Sequence, residues 1–106
     1  MSGVFTTAVW VPNTGEEEAF ADAWNAFATW ARTMPGAGTL RLARDLDDST
    51  RFVSYGRWDS IDAVHRWKSS PEFGPRMAQV QQHVHRFDPS ELEIVRVVED
   101  PPSSSG

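Results

Sequence analysis

Apolar residues along this chain switch between two spacings, and each switch marks an element. Val4-Phe5-Thr6-Thr7-Ala8-Val9-Trp10-Val11 is rich in β-branched and aromatic residues and reads as a first strand, stopped by Pro12-Asn13-Thr14-Gly15. Phe20, Trp24, Phe27, Ala31 and Met34 follow at steps of four, three, four and three, the stripe of an amphipathic helix. Thr14 and Glu17 are spaced as a capping box, and Glu16, Glu17 and Glu18 suit the positive end of the helix dipole. Pro35-Gly36-Ala37-Gly38 ends that helix. Residues 39–46 return to strand character with Leu40 and Leu42 on one face. Asp47-Asp48-Ser49 forms a hairpin turn, and residues 50–58 make a third strand closing on Trp58. Asp59, with Asp62 three residues on, is the expected cap of a second helix that buries Ile61, Val64 and Trp67. Ser70 and Pro71 fit the cap and first position of a further helix carrying Phe73, Met77, Val80 and Val84, with Gly74-Pro75 able to interrupt its first turn. Residues 91–98 are expected to form the fourth strand.

The order β-α-β-β-α-β is the ferredoxin-like, split-βαβ pattern of the α+β class: a four-stranded antiparallel sheet with helices on one face. A period of two in the strands then sorts the side chains. Phe52, Ser54, Gly56 and Trp58, with Thr6, Ala8 and Trp10, should face the helices. The other face would show Phe5, Val9, Val11, Val53 and Tyr55. An apolar face of that size calls for a partner, and a second copy packed sheet against sheet about a two-fold axis is the simplest. A homodimer is therefore expected, its domain spanning residues 1–98 and a low-complexity, disordered tail covering 99–106.

Small residues at Ala8, Ser54 and Gly56, set between large aromatics, leave room on the helix-facing side. Trp10, Phe52, Trp58, Trp67, Phe73 and Met77 line that room if it stays open, and are core if it does not. Such a pocket suits a small aromatic or hydrophobic ligand. His65, close to Trp67 in sequence, is a candidate acid, base or haem ligand, or else an exposed helix histidine. His83 and His85 are two apart, which does not place them on one helical face, and no His-Glu-x-x-His pattern occurs, so no metal site is expected. Arg57 and Arg76 are the cations best suited to anchor an anionic group.

Charge and composition narrow the function further. Ten basic and fifteen acidic side chains give a net charge of −5, which argues against non-specific nucleic-acid binding. Zero cysteines exclude a disulfide framework, thiolate catalysis and Cys-ligated zinc or iron–sulfur clusters. Met1-Ser2-Gly3-Val4-Phe5 lacks the basic and apolar regions of a secretory leader, and no apolar run approaches the roughly 18 residues of a membrane span. The expectation is a cytoplasmic protein with no membrane partner. No Gly-rich phosphate loop, Gly-x-Ser-x-Gly elbow or dinucleotide fingerprint occurs, and no cofactor is expected.

Three segments together carry a resemblance. They are the acidic helix start after Gly15, Phe52-Val53-Ser54-Tyr55-Gly56-Arg57-Trp58, and Trp67 through Ser70-Pro71-x-Phe73. On these the chain resembles the antibiotic-biosynthesis monooxygenase family of the dimeric α+β barrel superfamily, over about residues 4–98. The resemblance implies a homodimer with facing sheets. It also implies oxidation of a quinol, an anthrone or a related aromatic polyketide by O2 without flavin, metal or haem. In such chemistry the deprotonated substrate reduces O2 itself, and the protein supplies a dry pocket and hydrogen bonds to a developing oxyanion. Trp58 matches the tryptophan that closes the third strand beside the family's pocket. The asparagine that anthrone oxygenases carry four residues earlier is Ser54 here, and a common glutamate two residues before the tryptophan is Gly56, changes that enlarge the space near Trp58. The resemblance thus implies Trp58 as pocket wall, Ser54 as contact to a substrate oxygen, and His65 or Arg76 as aid to deprotonation or anion binding. Haem-degrading relatives use an asparagine, this tryptophan and a helical histidine at positions that here are Ala8, Trp58 and Met77. The alternatives to an oxygenase are a dimer that binds a hydrophobic small molecule without chemistry and, less expected because two of those three residues differ, haem binding or degradation.

Overall fold

The computed structural model describes residues 3–99. In chain order it consists of β1 (Val4–Pro12), α1 (Glu17–Ala31), β2 (Ala37–Arg44), β3 (Phe52–Trp58), α2 (Ile61–Lys68), α3 (Phe73–Gln81) and β4 (Val84–Glu93). The strands form one antiparallel sheet in the order β2-β3-β1-β4. This is the expected α+β, ferredoxin-like arrangement, its second helical region divided into α2 and α3.

Register confirms the division of faces. Ala8 lies opposite Ser54 and Pro89, and Trp10 opposite Phe52 and Phe87, so these side chains share one side of the sheet. Along β3 burial alternates, with Phe52, Ser54, Gly56 and Trp58 buried and Tyr55 and Arg57 exposed. The helices close over the buried side. Phe20, Trp58, Val64 and Val80 are its largest fully enclosed side chains, and Ala8, Trp10, Phe27, Ala31, Phe52, Ala63, Trp67 and Met77 complete the cluster. On the far side, Tyr55 and Leu92 are exposed, and Phe5, Val9, Val11 and Val53 are only partly covered.

Several boundaries differ from the sequence expectation, each for a physical reason. No Thr14–Glu17 capping box forms. The turn at Gly15, with φ +84°, places Glu16 at the N-cap without a side-chain cap. The Glu16 carboxylate instead lies 2.9 Å from Nδ1 of His83, a partner 67 residues away. At α2 the cap is Ser60 rather than Asp59: its Oγ accepts from the Ala63 amide at 3.1 Å. That one-residue shift buries Ala63, Val64 and Trp67 and leaves Ile61 exposed. Ser70 and Pro71 form a turn ahead of α3, in which the Ser70 Oγ accepts from the Glu72 amide at 3.2 Å. Gly74 and Pro75 sit in the first turn of α3 without breaking it, because an amide at position 75 would have no helical acceptor, so the N–H that proline lacks is not missed.

The β2–β3 connection is longer than the three-residue turn expected. Asp45 accepts from the amides of Asp47 and Asp48 at 2.8 and 3.2 Å, ending β2 at Arg44. The largest shift is at β4, which begins at Val84 rather than Glu91. Pro89 argues against a strand when the sequence is read alone, yet β4 is an edge strand, where a missing amide is tolerated. Residues 94–99 carry no strand, and the rest of the expected tail, from residue 100, lies outside the described residues. Among the described residues no helix is long and apolar enough to cross a membrane.

Candidate ligand-binding site

Between the helix-facing side of the sheet and the three helices lies a cavity of about 220 Å³. Ala8 and Trp10 of β1, Leu40 of β2, Ser54 of β3 and Phe87 and Pro89 of β4 form its sheet side. Trp24 and Phe27 of α1, Trp67 and Lys68 of α2, and Phe73, Met77 and Gln81 of α3 form its helix side. The small side chains of Ala8 and Ser54 on adjacent strands keep the sheet side low, while rings on both sides hold the walls apart. Trp67 is the pivot of the helix side. It stacks on Trp58 at 4.7 Å and meets Phe73 edge-on at 5.0 Å. Trp10 packs on Phe87 at 4.4 Å across the sheet.

Most polar groups near the cavity already have protein partners. Ser54 Oγ accepts from Trp10 Nε1 at 2.9 Å, a buried bond. Thr6 Oγ1 accepts from Trp58 Nε1 at 3.2 Å. Lys68 Nζ donates to Glu91 Oε2 at 2.7 Å, and His65 Nε2 stands 3.9 Å from the other carboxylate oxygen. The hydrogen bond from Lys68 holds the Glu91 carboxyl below the usual range, and the charges of Lys68 and His65 act in the same direction. The Trp67 Nε1 is buried and has no partner. Among the described residues no group of three or more His, Cys, Asp or Glu side chains comes together to hold a metal ion.

The sequence-predicted site residues separate into three groups. Trp10, Ser54, Trp67, Phe73 and Met77 line the cavity. Phe52 and Trp58 stand behind its wall in the core, Phe52 against Phe20 at 5.3 Å and Trp58 beneath Trp67. His65 and Arg76 do not reach it. The His65 side chain is 61% exposed on the outer side of α2. Arg76 lies over the Trp30 ring at 5.0 Å and pairs with Glu72 beside a second, more open cleft on the other side of α3. The space expected from Gly56 near Trp58 is taken up by Leu40, whose side chain occupies the position a Cβ would need.

Sequence reading missed Leu40, Lys68, Gln81, Phe87 and Pro89 as lining residues. Leu40 and Lys68 carried no signal beyond their elements. Phe87 and Pro89 become legible only once residue 84 is recognised as the start of an edge strand. Trp24 and Phe27 were visible as members of the α1 stripe, though not as pocket walls.

A family model described as "Antibiotic biosynthesis monooxygenase" matches residues 4–78. No curated protein matches the chain by sequence. Among solved structures, SnoaB of Streptomyces nogalater, a cofactor-independent oxygenase, superposes with a TM-score of 0.76 at 19% identity over 95% of this chain and 97% of its own. Rv0793 of Mycobacterium tuberculosis gives 0.73 at 21% identity, over 93% and 99%. PA3566 of Pseudomonas aeruginosa gives 0.75 at 18% identity, over 91% and 97%. These likenesses establish a shared fold.

Proposed function

The chain belongs to the antibiotic biosynthesis monooxygenase family, and from that membership we propose that it is a cofactor-independent monooxygenase acting on a small quinol-, anthrone- or polyketide-like aromatic. The observation that carries the proposal is the aromatic-walled cavity of about 220 Å³ between sheet and helices. A largely apolar lining of this kind suits a substrate that, once deprotonated, reduces O2 itself, because apolar walls disfavour water beside the intermediate. Trp10, Trp67, Phe73 and Met77 hold the ring system. Ser54 presents a hydroxyl whose acceptor role is taken by Trp10 but whose proton is free to face a substrate oxygen. Trp58 and Phe52 serve by holding Trp67 and the β3 wall in place. His65 and Arg76 lie away from the cavity and take no direct part in this reading.

The partner in this reading is a second copy. Phe5, Val9, Val11, Val53, Tyr55 and Leu92 leave an apolar sheet face uncovered, and a two-fold dimer of facing sheets would bury it.

One observation favours a second reading, a dimer that binds without chemistry: the cation nearest the cavity, Lys68, is already paired with Glu91, and Ser54 Oγ already accepts from Trp10, which leaves a single hydroxyl proton to meet a ligand. Oxygen uptake decides between them. Metal-free and haem-free protein is given anthrones and hydroquinones in an oxygen electrode, beside Ala8→Leu, which fills the cavity floor. Substrate-dependent uptake above the protein-free control, lost in Ala8→Leu, supports the oxygenase. Saturable thermal stabilisation by the same compounds without uptake supports the binder.

A further inference from the structure

We propose that Lys68 reads the outer end of the ligand: its ammonium, paired with Glu91 in the structure, also takes an anionic substituent held at the cavity mouth by an aromatic whose rings lie inside. The inference rests on the cavity being a ligand site, as proposed above, and adds where the ligand enters and which charge it carries.

Burial of the lining locates the mouth. Ala8, Trp10, Phe27, Ser54 and Trp67 are buried and form the inner end. The exposed lining residues are Tyr55, Gln81, Pro89 and Ser90. Tyr55 and Ser90 both register with Thr7, which places their side chains on the far face of the sheet. Gln81, at the end of α3, and Pro89, on the edge strand β4, are left on the cavity's own side. The cavity therefore opens between the β4 edge and the C-terminal ends of α2 and α3.

Lys68 stands at that opening. It is the last residue of α2 and the only charged side chain among those that line the cavity. Its Nζ lies 2.7 Å from Glu91 Oε2. Glu91 registers with Thr6, itself a lining residue, so its side chain rises on the helix-facing side of β4 just beyond Pro89. The ammonium is thus held on the cavity's side of the sheet edge.

The ion pair does not exhaust Lys68. An ammonium has three donors, and Glu91 Oε2 takes one of them. Both side chains are 34% exposed, so water screens the pair and an exchange of partner costs little. Glu91 also has a second neighbour, His65 Nε2 at 3.9 Å from Oε1, so a turn of Lys68 towards a ligand does not strand the carboxylate. A lone charge at the rim of an apolar cavity orients what enters it, rings inward and anion outward. A compact ammonium is a point charge, which suits a carboxylate without the paired geometry a guanidinium would impose. A clamp that only tied α2 to β4 would show the same ion pair but no preference between an anion and its neutral isostere.

The test uses 2-naphthoate and 2-naphthamide, bicyclic aromatics of nearly the same shape that differ in charge. Calorimetric titration of wild type at low ionic strength should give about fivefold tighter binding of the acid, the scale of one half-exposed ion pair, and salt should shrink that ratio. Glu91→Gln removes the competing carboxylate and should raise the acid-to-amide ratio further. Lys68→Met keeps the apolar stem and should bring the ratio to one or below, since Glu91 then meets the acid unpaired. Because each variant is read as a ratio within one protein, a general loosening of the site cancels. Equal binding of acid and amide by both wild type and Glu91→Gln would overturn the role of Lys68 and leave the cavity reading standing. A wild-type ratio preserved in Lys68→Met, whether or not both affinities fall, would overturn it too and leave the lysine as a clamp. Failure of both compounds to bind wild type would remove the ligand site and this inference with it.

Discussion

Trp58→Phe tests whether this residue works by packing or by chemistry. Trp58 is fully enclosed, stacks on Trp67 at 4.7 Å and donates to Thr6 Oγ1 at 3.2 Å. Replacing indole with phenyl removes part of a buried ring, worth about 1–2 kcal/mol at ~0.8 kcal/mol per buried methylene-sized group. It also removes a hydrogen bond worth about 1 kcal/mol. The expected loss is about 2–3 kcal/mol, which with a urea m-value of ~1–3 kcal/mol/M lowers the unfolding midpoint by about 1 M or more. Protein concentration must be held constant between variants, because dimer formation would add to apparent stability. Thr6→Val removes the acceptor with little change of shape, so the double variant should fall short of additivity by about 1 kcal/mol, the coupling of the shared bond. On this reasoning any loss of oxygen uptake in Trp58→Phe tracks the loosening of Trp67 above it. An unchanged midpoint together with a large loss of uptake would refute the packing argument and put Trp58 in direct contact with substrate.

Further outcomes follow from other parts of the fold. Gly56→Ala forces its new methyl against Leu40, so Leu40 should swing into the cavity; ligand affinity measured by calorimetry should fall, with destabilisation of about 1–3 kcal/mol from overpacking. Gly36→Ala places a side chain at φ +89° and 2.7 Å from the Ala63 Cβ, and should cost about 2 kcal/mol or more in a chemical melt. The Glu16 carboxyl is held below its ordinary value of 4.5, chiefly by the hydrogen bond with His83 and then by Asn13. Its contribution is complete above that value and is lost as pH falls through the lowered one; wild-type and Glu16→Gln unfolding midpoints should therefore differ at neutral pH and converge in acid. Val9→Glu puts a charge on the partly covered sheet face, and light scattering should show the proposed wild-type dimer reduced to monomer with helical circular dichroism retained.

The order of elements, and in β1 and β3 the side of the sheet that each residue faces, are legible in the chain alone. Both follow from periodicity, which is a local property: alternate positions in β3 must point to opposite sides, and Phe20, Trp24 and Phe27 must share a stripe. The chain alone also carries the family resemblance, because Trp58, Trp67 and Ser70-Pro71-x-Phe73 are contiguous enough to read. Which of the aromatics border open space is settled instead by long-range packing. Trp58 and Trp67 look alike in sequence, yet one is sealed beneath the other. Partners were likewise out of reach, since Trp10 finds Ser54 across 44 positions and Trp58 finds Thr6 across 52. The edge position that admits Pro89 to β4, and with it Phe87 to the cavity, depends on how four strands are ordered in space. A cavity is what remains after all such long-range packing is complete, and for that reason no local pattern encodes it.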